Sequence, residues 1–134
     1  MPWDPTTSIV RAVIAKEPRD RYNYFVMKAV EEGRLWSLYD GGWVLMRDND
    51  GHEHVPVWPH QRFAQQYISS DWKKCSTRSI SLDEWMREWI PEMQKDRRRI
   101  AVFPVSSLEH GQLGVSANPR RLELDLEAGL LRDA

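Results

Sequence analysis

Residues 100–105 read IAVFPV, apolar at every position. A strand with no polar side is sheltered on both faces, so the chain must lay helices or loops above and below it. Candidates for that cover flank it. Upstream, Ile9, Val10, Val13 and Ile14 recur at helical spacing, and Tyr22, Phe25, Val26, Ala29 and Val30 form a second stripe. Pro18 suits the first turn of this second helix, and Gly33 suits its end. Downstream, Asn118-Pro119 opens a closing helix bearing Leu122, Leu126 and Leu130.

Between these lies a change of period. RLWSLYD (34–40) alternates, with Trp36 and Leu38 on one face, and is followed by WVLMRD (43–48) and HEHVPVWP (52–59). Asp40-Gly41-Gly42 and Asn49-Asp50-Gly51 are turn signals, so the three segments predict an antiparallel meander. Pro56 cannot donate to a ladder and predicts an edge position or an irregularity. From His60 the spacing of Phe63, Ala64, Tyr67, Ile68 and Trp72 is helical, and CSTRSIS then reads as a short extended piece. Ser81-Leu82-Asp83-Glu84 is a capping box ahead of Trp85, Met86, Trp89, Ile90 and Met93, with Pro91 expected to kink or shorten that helix. QLGVS (112–116) predicts a last strand. Strands and helices mix without βαβ alternation. The fold class is therefore α+β: a mixed, mostly antiparallel sheet of about five or six strands, with two N-terminal helices and one C-terminal helix.

Nineteen basic residues against twenty acidic ones leave a formal charge of −1, which lacks the basic footprint of a nucleic-acid binder. The single Cys75 excludes an internal disulfide and a zinc-finger pattern. The opening MPWDPTTSIV lacks the basic start and apolar run of a secretory signal, and no stretch approaches the roughly 18 apolar residues of a membrane span. The expectation is a soluble cytoplasmic protein.

His52 and His54 share one face of a strand, and with His60 or Cys75 they form the candidate metal set. No HExxH, CxxC or carboxylate cluster supports it, and polar residues after a turn are expected anyway. Ser106, Ser107 and His110 share a loop but lack a nucleophile elbow and an acidic orienter. Asp83 and Glu84 belong to a helix first turn, and Glu31 and Glu32 to a helix end. Arg97-Arg98-Arg99 could bind an anion, but such runs are more often solvated turns. Lys73 and Lys74 could lower the pKa of the Cys75 thiol. These groups assemble into no catalytic set, and no cofactor is expected.

Seven tryptophans are the remaining oddity. Trp36, Trp58, Trp85 and Trp89 suit a core, whereas Trp3, Trp43 and Trp72 are harder to place. The stretches LWSLYDGGWVLM, VPVWPHQRFAQQY, ISLDEWMREWIPEM and IAVFPV followed by GVSANP resemble the bacterial domain-of-unknown-function 2750 family, from about Tyr24 to Leu130. Pro56-Val57-Trp58-Pro59 with Phe63-Ala64 is the most specific part. A fainter similarity links the strand ends and Asn118-Pro119 to the SseB-like N-terminal domain. The resemblance implies an intracellular bacterial protein with an α+β fold and transfers no catalytic residue. It divides residues 1–134 into a helical extension (1–18) and a family-like domain (19–132).

The leading expectation is a non-enzymatic domain that binds a protein partner or a second copy of itself, an immunity-type protein being one example. Its candidate surface is Trp43, Pro56, Trp58, Pro59 and Trp72. The alternative is a metal- or small-molecule-binding domain built on His52, His54 and His60.

Overall fold

The all-apolar strand is one of the two inner members of a four-stranded sheet. The computed structural model describes residues 3–48, 50–68, 74–107 and 111–133. In it β5 (Arg99–Ser107) lies between β3 (Glu53–Val57) and β6 (Gly111–Ala117), and β2 (Met46–Arg47) completes the order β2-β3-β5-β6. The β3–β5 pair is parallel and the other two pairs are antiparallel. A separate two-stranded antiparallel sheet joins β1 (Arg34–Tyr39) to β4 (Ser76–Ser81). The fold is mixed α+β, as the order of patterns predicts.

The helices form where the signals place them. α1 (Thr7–Ile14) is capped by Thr6, whose hydroxyl accepts the Ile9 amide, and buries Val10 and Val13 in the same core as the rest of the chain. α2 (Pro18–Glu32) starts on its proline and stops at Gly33, whose φ of 69° is the left-handed conformation that glycine takes without strain. α3 (Gln61–Tyr67) buries Phe63, Ala64 and Tyr67; Trp72 lies outside the described residues. Ser81 caps α4 (Leu82–Glu84) by accepting the Glu84 amide. The chain then widens into a π-helical turn, Trp85–Trp89, before α5 (Ile90–Lys95). Pro91 accounts for this widening. It supplies no amide and its ring crowds the preceding turn, so the strain is absorbed in the π-helical turn that leads into α5. α6 (Pro119–Asp133) buries Leu122 and Leu126, but Leu130 is exposed. α2 packs on β5, β6 and α6, with Gly129 allowing α6 to come against Val30.

The predicted meander is corrected in one respect. β1 ladders with β4, and it meets the neighbouring segments only through bridges from Tyr39 to Trp43 and from Trp36 to Trp58. Leu35 and Leu38 are its fully buried apolar residues, with Trp36 half-buried. Pro56 explains the break. β2 ends before reaching it, and in place of a backbone partner its carbonyl accepts the Ser37 hydroxyl at 2.6 Å. Two residues on, the Trp36 and Trp58 backbones exchange both hydrogen bonds at 2.9 Å, closing the gap between the sheets.

β5 is interrupted at Phe103-Pro104, where its register with β6 shifts between Val102 and Val105. Phe103 has φ 54° although fully buried, a conformation that costs an L-residue roughly 1–2 kcal/mol. The carbonyls turned out of the ladder are recovered by side chains. Arg21 Nε donates to Phe103 O at 3.3 Å, and Trp58 Nε1 donates to Pro104 O at 2.9 Å. Opposite, Gly114 has no room for a side chain, since a Cβ would stand 3.0 Å from Pro104 Cα.

Two substitutions test this arrangement. Trp58→Phe keeps a ring but strands the Pro104 carbonyl, and Gly114→Ala drives a methyl into Pro104. Each is expected to lower unfolding free energy by about 1–3 kcal/mol in urea titrations, against no change for Leu131→Ala on the exposed face of α6.

Candidate functional site

The turn after β1 carries Trp43 across to the π-helical turn. Gly41, with φ 68°, reverses the chain, the Asp40 amide bonds Gly42 O, and the Val44 amide bonds Leu38 O. Trp43 is left 37% exposed. Its ring meets Trp89 edge-on, with centroids 4.9 Å apart at 83°, and meets Tyr39 edge-on at 5.3 Å. Trp89 in turn stacks on the fully buried Trp85 at 5.5 Å. The widened turn, closed by the Ile90 amide on Trp85 O, therefore holds Trp89 half-buried over the core with an edge at the surface.

These rings border a cleft of about 450 Å³ whose apolar wall is Trp43, Leu45, Val55, Trp89 and Met93. Glu88, Glu92, Asp96 and Arg98 line its rim. Asp96 holds Arg98 at 3.1 Å, and Glu53 holds the same guanidinium at 3.3 Å. Among the described residues, no ion pair involves Glu88 or Glu92. The arrangement can hold an apolar or aromatic-seeking group at its floor and a cation at its rim.

A larger groove of about 910 Å³ runs between α2 and α6. In it the Tyr22 phenol donates to Asp125, which also faces Arg121 at 3.9 Å. Burial first, and then Asp125, push the Tyr22 phenol above its ordinary range. This groove is a helix–helix seam, and it contains no tryptophan.

Of the surface expected from sequence, Trp43 alone is exposed among the described residues. Trp58 is 0% exposed, with its indole N–H spent on Pro104, and Pro56 and Pro59 are buried beside it. These three are buried where the two sheets meet. Trp72 lies outside the described residues. Trp3 covers His60, Tyr24 and Phe63, with Lys28 over its ring at 4.6 Å. Trp89, read from sequence as core, packs against the core but is only half-buried and borders the cleft. The signal was the WMREWIPEM stretch, where an aromatic stripe sits beside acids spaced four apart.

The three histidines do not converge as a ligand set. His52 is exposed, 3.5 Å from Asp48. His54 is buried, donating from Nδ1 to His52 O at 3.1 Å, while its Nε2 meets the Ser116 hydroxyl at 2.8 Å. His60 is buried at the start of α3, where its Nδ1 accepts the Arg62 amide at 3.1 Å. The grouping that does exist is Asp48, Asp50 and His52, all exposed, with ligand atoms within 4.8 Å. Asp48 is already used there: its Oδ1 accepts the His52 and Asp50 amides at 2.8 and 3.0 Å, and those bonds lower its pKa. Cys75 is half-buried, and burial followed by Asp40 raises its pKa, opposite to the activation expected from Lys73 and Lys74. The Ser106 and Ser107 side chains and His110 lie outside the described residues.

With its fold and cleft laid out, the molecule is a small α+β domain with an exposed, acid-rimmed aromatic cleft among its described residues. The chain belongs to the family described as protein of unknown function (DUF2750), which matches it over residues 22–126. The curated proteins give no match, and neither do the solved structures.

His60 makes stability depend on pH. Burial, and less strongly Arg62, lower its pKa below the ordinary 6.5, outweighing Asp4 and Glu32 on the opposite side. Protonating Nδ1 would also remove the acceptor that caps α3. As pH falls through 6.5, the unfolded chain takes up this proton before the folded one, and stability declines until the folded pKa is passed. The melting temperature is expected to drop between about pH 7.5 and about pH 5, and to drop less in His60→Asn, which retains a capping acceptor.

Proposed function

We propose that this protein is a non-catalytic domain of the bacterial cytoplasm that works by binding another protein, and that its docking site is the Trp43–Trp89 cleft. The observation that carries the reading is the edge-to-face pair of tryptophans at the mouth of an apolar cleft. An exposed indole over an apolar floor costs solubility unless a partner covers it, and tryptophan is the residue most enriched among those that dominate binding energy. An immunity-type role falls within this class. The non-catalytic part of the reading is supported by the use of buried polar groups. Arg21, Ser37, His54 and His60 are each bonded to backbone atoms as structural ties. No helix among the described residues is long and apolar enough to cross a membrane.

A second reading, a metal-binding domain, rests on Asp48, Asp50 and His52 and would be established by stoichiometric zinc in untagged protein. The occupied state of Asp48 favours the first.

The test is capture from the native bacterium. Wild-type protein is expected to bring down one partner at near-equal amount, and Leu131→Ala to do the same. Trp43→Ala, with its fold checked by circular dichroism, should weaken that capture by about thirtyfold, matching a contact worth ~2 kcal/mol. Wild-type protein that emerges repeatedly alone and monomeric would overturn the proposal. Emergence as a dimer dissolved by Trp43→Ala would assign the cleft to a second copy.

A further inference from the structure

We infer that the cleft takes a basic segment of a protein partner, seating an arginine side chain against the Trp43–Trp89 pair between Glu88 and Glu92. This rests on the docking reading above and adds the partner's chemistry to it.

Charge is the first argument. Glu88 and Glu92 lie four residues apart where the π-helical turn passes into α5, both exposed and both lining the cleft. Like charges at that spacing on a helix oppose it by a few tenths of a kcal/mol. Residues elsewhere in this chain offset such costs locally: Asp83 has Arg87, Glu31 has Lys28, and Glu123 has Arg120. Glu88 and Glu92 make no such ion pair among the described residues, not even with Lys95, three residues beyond Glu92. The one arginine on the rim, Arg98, is already shared by Asp96 and Glu53. The rim thus carries two carboxylates outside any ion pair among the described residues, beside the exposed Trp43 and the half-buried Trp89.

Ring chemistry is the second. A guanidinium attracts the negative face of an indole and stacks on it, more readily than an ammonium does. The chain uses the same contact at the neighbouring ring, where the Arg78 guanidinium sits 3.5 Å from the centroid of Tyr39, itself packed on Trp43. Shape is the third. At about 450 Å³ the cleft exceeds one side chain, and Leu45, Val55 and Met93 offer apolar contact to the residues flanking the arginine. A small free cation would leave that wall uncovered.

The probe is the peptide Ac-Leu-Arg-Leu-NH2, titrated into the full chain while the indole N–H signals of Trp43 and Trp89 are followed by NMR. Its citrulline counterpart, of equal shape and no charge, is the comparison. The arginine peptide is expected to shift both signals saturably and to bind about tenfold more tightly, a preference that Glu88→Gln/Glu92→Gln removes and salt weakens. Equal binding of the two peptides overturns the cationic assignment while leaving an apolar docking cleft. Absence of any shift with the arginine peptide overturns it as well, as does tetramethylammonium binding as tightly as the peptide. The docking reading fails on different grounds, when the capture experiment returns the wild-type protein alone and monomeric; a partner lost by Trp43→Ala but retained in full by Glu88→Gln/Glu92→Gln keeps docking and discards the arginine.

Discussion

The break in β5 at Phe103-Pro104 is the constraint on which the other elements turn. A proline inside a buried strand removes one donor, and the turned Phe103 leaves carbonyls that no ladder can use. Buried and unpaired, each would cost roughly 1–3 kcal/mol. The fold answers by bringing Arg21 from α2 to one and Trp58 from the end of β3 to the other. Those bonds fix where α2 crosses the sheet and where β3 must end. Gly114 then follows, because β6 can pass the bulge only where it carries no Cβ.

The position of Trp58 propagates outward. Its backbone is paired to Trp36, so β1 reaches the main sheet at a single point and gives its ladder to β4. The turn beyond β1 is thereby free of a full strand pairing with β2, and it lays Trp43 over the helix rather than into the sheet. Pro91 completes the arrangement from the other side. The widened turn it imposes holds Trp85 inward and Trp89 at the surface, so two prolines far apart in sequence determine one cleft.

Local signals were legible in the sequence because local chemistry sets them. The Pro18 start, the Gly33 stop, the Ser81 cap and the double-sided burial of β5 all follow from side chains within a few residues. The pairing of β1 with β4 was not, because it depends on the β2–β3 ladder stopping short of Pro56, whose carbonyl then accepts Ser37 across the fold. The same gap misplaced the tryptophans. Periodicity says that Trp58 and Trp89 each belong to an apolar face, but the depth of that face is set by the bulge and by the π-helical turn. Trp43, just after a glycine turn, was one of three tryptophans that the sequence left hard to place, and it is exposed. The histidine cluster dissolved for a related reason: three imidazoles close in sequence were spent on a loop, a strand and a helix start.

The division of labour among the tryptophans supports reading the cleft as a surface kept for contact. Trp58 and Trp85 are fully buried, and their removal from water contributes to the core whatever else the protein does. Trp43 contributes less, since more than a third of it remains wet. A leucine or valine there would fill the floor above Leu45 with less exposed apolar area. Selection for stability alone would also draw Glu88 and Glu92 into ion pairs one turn away, as Arg87 pairs with Asp83 and Lys28 with Glu31, yet Lys95 makes no such pair with Glu92 among the described residues. An exposed indole and two unpaired carboxylates on the same rim each cost the isolated domain a little. Both costs are relieved by one event, the arrival of a cation carried on an apolar segment.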